Sequence, residues 1–164
     1  MTLIVEDGTG LRNAESYVSV ADADAYHAKM GHTAWAGSES DKEIALRLGT
    51  QYIDATYWFK GQRMNYFQSL RWPRLDAGRL VWYQGWPPLV LVQATAEMAL
   101  RFLIDPTAGL VDTTDQAILE ERVGPIDVKY AGQVRGGQKR YALVDNLLKI
   151  LCTGSTSSVR VELG

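Results

Sequence analysis

The stretch Pro87-Pro88-Leu89-Val90-Leu91-Val92-Gln93-Ala94-Thr95-Ala96-Glu97-Met98-Ala99-Leu100-Arg101-Phe102-Leu103-Ile104-Asp105-Pro106 decides the fold class. Proline suits a helix start, where the first N–H groups have no intrahelical partner, and Pro106 cannot continue a helix. Between them Val92, Ala96, Ala99 and Leu103 recur at helical spacing, which predicts a helix over residues 89–105. Its alanines suit close contact with a second helix.

The same signals recur on both sides. Upstream, Ser19 is a good N-cap for a helix running to about Met30, with Asp22 at its third position and Gly31 as the stop. Ser40-Asp41-Lys42-Glu43 has a capping-box pattern, and Ile44, Leu48, Tyr52 and Ala55 then fall on one face of a helix reaching about Tyr57. Downstream, Val144, Leu147, Leu148 and Leu151 predict a helix over residues 142–152, with Cys152 as a small buried hydrophobe.

Strand signals are fewer. Val123, Ile126, Val128 and Tyr130 surround Gly124-Pro125, the pattern of a hairpin or of a kinked strand. Leu3, Ile4 and Val5 near the start, and Val159, Val161 and Leu163 near the end, read as short strands. A lone strand leaves its backbone groups unpaired, so each needs a partner edge, in its own chain or in another subunit. The expected fold is mainly α with a small β component: a four-helix domain with a β-hairpin and extended terminal arms. Residues 1–153 form that domain with its N-terminal arm. Residues 154–164 supply a Gly/Ser/Thr linker and a strand-like C-terminal arm.

Composition narrows the function. With 164 residues and 46% hydrophobic content the chain can bury one core. The formal net charge of -2 provides no overall basic field for duplex DNA or an anionic membrane. A single cysteine excludes an intrachain disulfide. No apolar run is long enough for a signal peptide or a membrane span, so synthesis in the cytoplasm and no membrane partner are expected.

A search for catalytic patterns finds none. His27 and His32 lack a zinc-binding motif and read best as surface or packing histidines. The pairs Asp22/Asp24 and Glu120/Glu121 fit capping and solvated faces better than acid–base chemistry. Gly136-Gly137-Gln138-Lys139-Arg140 lacks phosphate-loop spacing, and no serine sits in a Gly-x-Ser-x-Gly elbow. No enzyme activity, metal or cofactor is expected.

The unusual region is residues 57–86, which hold nine of the sixteen aromatic residues, among them Trp58, Trp72, Trp82 and Trp86. Lys60, Arg63, Arg71 and Arg74 are interleaved with rings over residues 57–74, where no acidic residue occurs. Three explanations fit: packing of a long inter-helix connection, a protein interface, or stacking and phosphate contact with single-stranded nucleic acid.

A family resemblance spans most of the chain. It is carried by Leu3-Ile4-Val5-Glu6-Asp7-Gly8-Thr9-Gly10, by Asn13-Ala14-Glu15-Ser16-Tyr17-Val18-Ser19, and by Ala21-Asp22-Ala23-Asp24-Ala25-Tyr26-His27. It continues through Ala34-Trp35, Tyr52-Ile53-Asp54, Tyr57, Lys60-Gly61 and Leu70-Arg71-Trp72-Pro73-Arg74, and closes on Val123-Gly124-Pro125-Ile126-Asp127-Val128-Lys129-Tyr130. The chain resembles proteins from the structural gene clusters of tailed bacteriophages. They are often labelled DnaT-like single-stranded-DNA-binding proteins and are similar to head-to-tail adaptors, also called connector or head-completion proteins. The resemblance implies a virion structural protein at the head–tail junction, made in the host cytoplasm. It implies a homo-oligomeric ring of about twelve subunits. The portal protein would lie above it, a tail or stopper protein below, and genomic DNA would pass through the lumen. Candidate interface residues are then Leu3, Ile4, Val5, Trp58, Trp72, Trp82, Trp86, Val159, Val161 and Leu163. Lys60, Arg63, Arg71 and Arg74 are the candidate nucleic-acid contacts of the alternative, a single-stranded-DNA-binding module.

Overall fold

The computed structural model describes residues 2–78, 86–108 and 141–153, together with the backbone of two strands at 120–123 and 126–129. Its helices are α1 (Val20–Met30), α2 (Glu39–Thr56), α3 (Leu89–Ile104) and α4 (Ala142–Leu148). Two antiparallel ribbons accompany them: β1 (Gln62–Arg63) with β2 (Arg74–Leu75), and β3 (Glu120–Val123) with β4 (Ile126–Lys129). The chain is mainly helical with a small β component, as its periodicity predicts. The second ribbon realises the hairpin alternative, pairing Val123 with Ile126 and Glu120 with Lys129. Trp82, Gly124, Pro125, Val159, Val161 and Leu163 lie outside the described residues.

Helix α3 is the axis of the fold. Residues 94–100 are all buried, because α2, α4 and α1 each pack against this helix. The α2 contact is the closest. A Cβ on Gly49 would lie 2.9 Å from the Ala99 amide nitrogen and 3.2 Å from the Thr95 carbonyl oxygen, so only glycine fits at that crossing. Leu46, Ile53, Leu91, Met98, Val144 and Leu148 fill the core around it.

The start of α2 corrects the sequence expectation. Ser38, and not Ser40, is the N-cap: its hydroxyl accepts from the Asp41 N–H while Asp41 takes the Ser38 N–H, a reciprocal box two residues earlier. The buried face is corrected too. Ala45, Leu46, Gly49, Thr50 and Ile53 face inward, while Ile44 and Ala55 are exposed and Leu48 and Tyr52 are half-buried. The close approach of α3 excludes a side chain at Gly49, while Leu46 and Ile53 on the same face fill the core.

Helix α4 is shorter than its apolar spacing suggests. It ends at Leu148, and the next residues turn so that Leu151 is buried and Cys152 is half-buried. Burial pushes the Cys152 thiol up to about 11. Cys152 bridges to Phe59, the Lys60 N–H donates to the Leu151 carbonyl (2.9 Å), and the Thr153 N–H donates to the Trp58 carbonyl (2.8 Å). The described C-terminal end is thus pinned to the start of the aromatic segment.

The N-terminal strand finds its partner in its own chain. Val5 forms a parallel bridge with Ser16, and Glu15 N–H donates to the Ile4 carbonyl at 2.7 Å. Leu3 packs against the core, Val5 is half-buried and Ile4 remains exposed. Among the described residues no helix is long and apolar enough to cross a membrane.

Candidate binding surface on the connection between α2 and α3

The connection after α2 is a loop closed at its neck by the β1–β2 ribbon, with Gln62 opposite Leu75 and Arg63 opposite Arg74. Gly61 makes the neck possible. Its φ is 76°, and a Cβ there would lie against the Leu75 carbonyl oxygen and the Ala77 amide.

Inside the neck the loop is held by polar side chains. Gln68 is buried; its amide nitrogen donates to the Leu70 (2.8 Å) and Pro73 (3.1 Å) carbonyls, and its oxygen accepts from Asn65 N–H at 3.0 Å. Asn65 caps the turn by accepting from the Phe67 and Gln68 N–H groups, and donates to the Gly10 carbonyl at 3.0 Å. Ser69 donates to the Ala14 carbonyl at 2.7 Å. Asn65 and Ser69 therefore fasten the loop to the N-terminal segment. Sequence reasoning missed all three; their signal is an Asn-x-x-Gln-Ser run of turn formers set among rings.

The aromatic residues divide into two sets. Trp72 is 1% exposed, packs edge-on against Phe59 (5.8 Å) and lies 6.4 Å from the half-buried Trp86 ring. Trp72, expected at an interface, belongs to the core, and Trp86 lies over Gly8 with its indole N–H donating to the Glu6 carbonyl. Trp58, Tyr66 and Phe67 are instead 72%, 90% and 62% exposed, and Met64 is exposed as well. Arg71 lies over the Trp58 ring at 5.5 Å, and Arg12 over the Phe67 ring at 4.8 Å.

The four candidate cations also divide. Arg63 donates to the Gln68 and Leu70 carbonyls, and Arg74 to those of Lys60, Gly61 and Arg71. Lys60 reaches the Ile150 carbonyl at 3.1 Å. These three are tied into the loop itself. Burial first, and the Arg71 and Arg63 charges after it, pull Arg74 below the usual arginine range. The Arg71 guanidinium has no hydrogen-bond partner among the described residues; only its ring contact is formed.

Behind Arg71 an open pocket of about 540 Å³ is lined by Arg47, Thr50, Asp54, Arg63, Ser69 and Arg71, among others. Asp54 anchors its floor. One carboxyl oxygen accepts from the Tyr17 hydroxyl (2.6 Å) and the other from the Arg71 N–H (2.9 Å), and burial raises its pKa. Arg47 is already paired with Glu15 at 3.0 Å and Glu43 at 3.4 Å. The two histidines meet each other, Nδ1 to Nδ1 at 3.0 Å, and among the described residues no group of three or more ligand-type side chains could hold a metal ion.

These features define a class: a small, mainly helical domain that presents a rigid, cation-flanked aromatic loop. The chain belongs to the family described as putative DnaT-like ssDNA binding protein, whose model matches residues 1–164. No curated protein and no solved structure matches it.

Proposed function

We propose that this protein acts by surface binding, as a head-to-tail adaptor of a tailed bacteriophage. It would form a ring under the portal and dock the tail or the next connector protein. The observation that carries this reading is the exposed set Met64, Tyr66 and Phe67 on a loop held from within, with exposed Trp58 just before its neck. Apolar rings flanked by arginine have the composition of a protein-interface hot spot, and a rigid loop loses little entropy on docking. Three of the four cations that would grip phosphate are spent on backbone carbonyls, which favours protein over nucleic acid as the ligand. Thr153, the last described residue, donates to the Trp58 carbonyl and so sits beside this exposed ring. The head–tail junction is the position expected from the likeness of the sequence to tailed-phage structural proteins.

The test is a density map of the intact particle together with a complementation assay. The chain is expected as a ring at the portal–tail junction, and Trp58→Ala with Phe67→Ala should leave filled heads without tails. A junction built without this chain sinks the proposal. The isolated protein is expected to be monomeric, with the portal templating the ring.

The second reading is single-stranded-DNA binding, supported by the family description and by the Arg71–Trp58 and Arg12–Phe67 pairs. On that reading Trp58 and Arg71, not Trp72 and Arg74, are the residues to change. Tight, salt-dependent binding of an oligonucleotide that Trp58→Ala and Arg71→Ala abolish would establish it over the adaptor.

A further inference from the structure

We propose that His27, His32 and Glu97 form an acid-sensitive latch holding α1 and the turn after it against α3. His27 is 1% exposed, and its Nε2 lies 3.2 Å from the Ala96 carbonyl oxygen on α3. A carbonyl only accepts, so Nε2 carries the proton and Nδ1 presents a lone pair. That lone pair faces His32 Nδ1 at 3.0 Å, so His32 must carry its proton on Nδ1. The two contacts fix both tautomers. A second proton on His27 would have to enter at Nδ1, where it meets the His32 N–H until His32 moves its own proton to Nε2.

The surrounding groups offer it little relief. From α1, Tyr26 donates to Glu97 Oε1 at 2.9 Å, and Asp24 accepts from both the Trp35 indole (2.6 Å) and Lys42 of α2 (2.8 Å). From α3, Glu97 is buried, with Oε1 3.9 Å from His32 Nδ1 and Oε2 3.9 Å from Arg101. Trp35 covers the His27 ring at 4.4 Å. Burial first, and then His32, hold the His27 imidazole below 6.5, against the opposing pull of Glu97 and Asp24. The sign follows: below pH 6.5 the unfolded chain takes a proton at this position before the folded one does, so stability is lost as pH falls from 6.5 toward the folded value. Because α1 has far fewer contacts with its neighbours than α2 and α3 have with each other, the loss should appear as local opening of α1.

Hydrogen exchange and imidazole ¹⁵N shifts test the latch. At neutral pH His27 should be the Nε2–H tautomer and His32 the Nδ1–H tautomer. On acidification to about pH 5, the opening constant of α1 amides should rise more than that of α3 amides. His27→Gln keeps a donor for Ala96 and cannot titrate, so it should remove that excess. The reverse tautomers, an equal rise in both helices, or an undiminished excess in His27→Gln would each overturn the proposal. The tautomer measurement needs only the wild-type chain.

Discussion

Identical residue types do opposite work in this chain. Trp58 and Trp72 sit in the same basic, aromatic segment, yet one is solvent-exposed and the other closes the core. Trp72→Ala should cost about 3–5 kcal/mol in denaturant unfolding, because it empties a buried ring volume. Glu6 is the acidic counterpart of such a core residue. It is buried and accepts from the Gly8 and Gly10 N–H groups through one oxygen and from Leu11 N–H through the other. Glu6→Gln turns one acceptor into a donor facing an N–H, and should lower stability by about 1–3 kcal/mol in the same assay. The role of Glu6 depends on where residues 8–11 fold back, which residue type alone does not show.

At the scale of elements, capping and packing make separable predictions. Ser38→Ala should cost about 1 kcal/mol, whereas Ser40→Ala should stay within about 0.5 kcal/mol, since Ser40 lies past the box that Ser38 and Asp41 close. Thermal unfolding of the two variants distinguishes them. Gly49→Ala pushes a methyl against the α3 backbone and should cost about 1–3 kcal/mol despite its better helix propensity. Helix existence was readable from period and punctuation, as with Pro88 before α3 and Ser19 before α1. The inward face of α2 was not, because Ile44 and Leu48 are larger and more apolar than Ala45 and Gly49. The close approach of α3 selected glycine at position 49 and so turned the face bearing Leu46 and Ile53 inward.

On the scale of the whole molecule, the exposed loop and the core should be separable by mutation. Trp58→Ala and Phe67→Ala should shift stability by no more than about 0.5 kcal/mol while abolishing docking in the assembly assay. Asp54→Asn should act differently. It disturbs the Tyr17 and Arg71 bonds that seat the loop on α2, so binding and stability should fall together, stability by about 1–3 kcal/mol. Calorimetry on the two sets of variants tells a contact residue from a positioning one. Part of the candidate surface was legible as aromatic and cationic density over residues 57–74. Which rings face water was not, because alternation within a loop has no fixed period.

The sequence by itself determined the presence of the helices, the strand signals around Gly124-Pro125 and the unusual composition of the connection, since these follow from local periodicity, proline and glycine. Only the tertiary structure decided that Trp72 is core, that Arg63 and Arg74 grip carbonyls, and that the first strand pairs within its own chain. Those outcomes depend on contacts between segments far apart in sequence, where burial of one ring or guanidinium leaves another exposed. Local pattern carries no record of that competition.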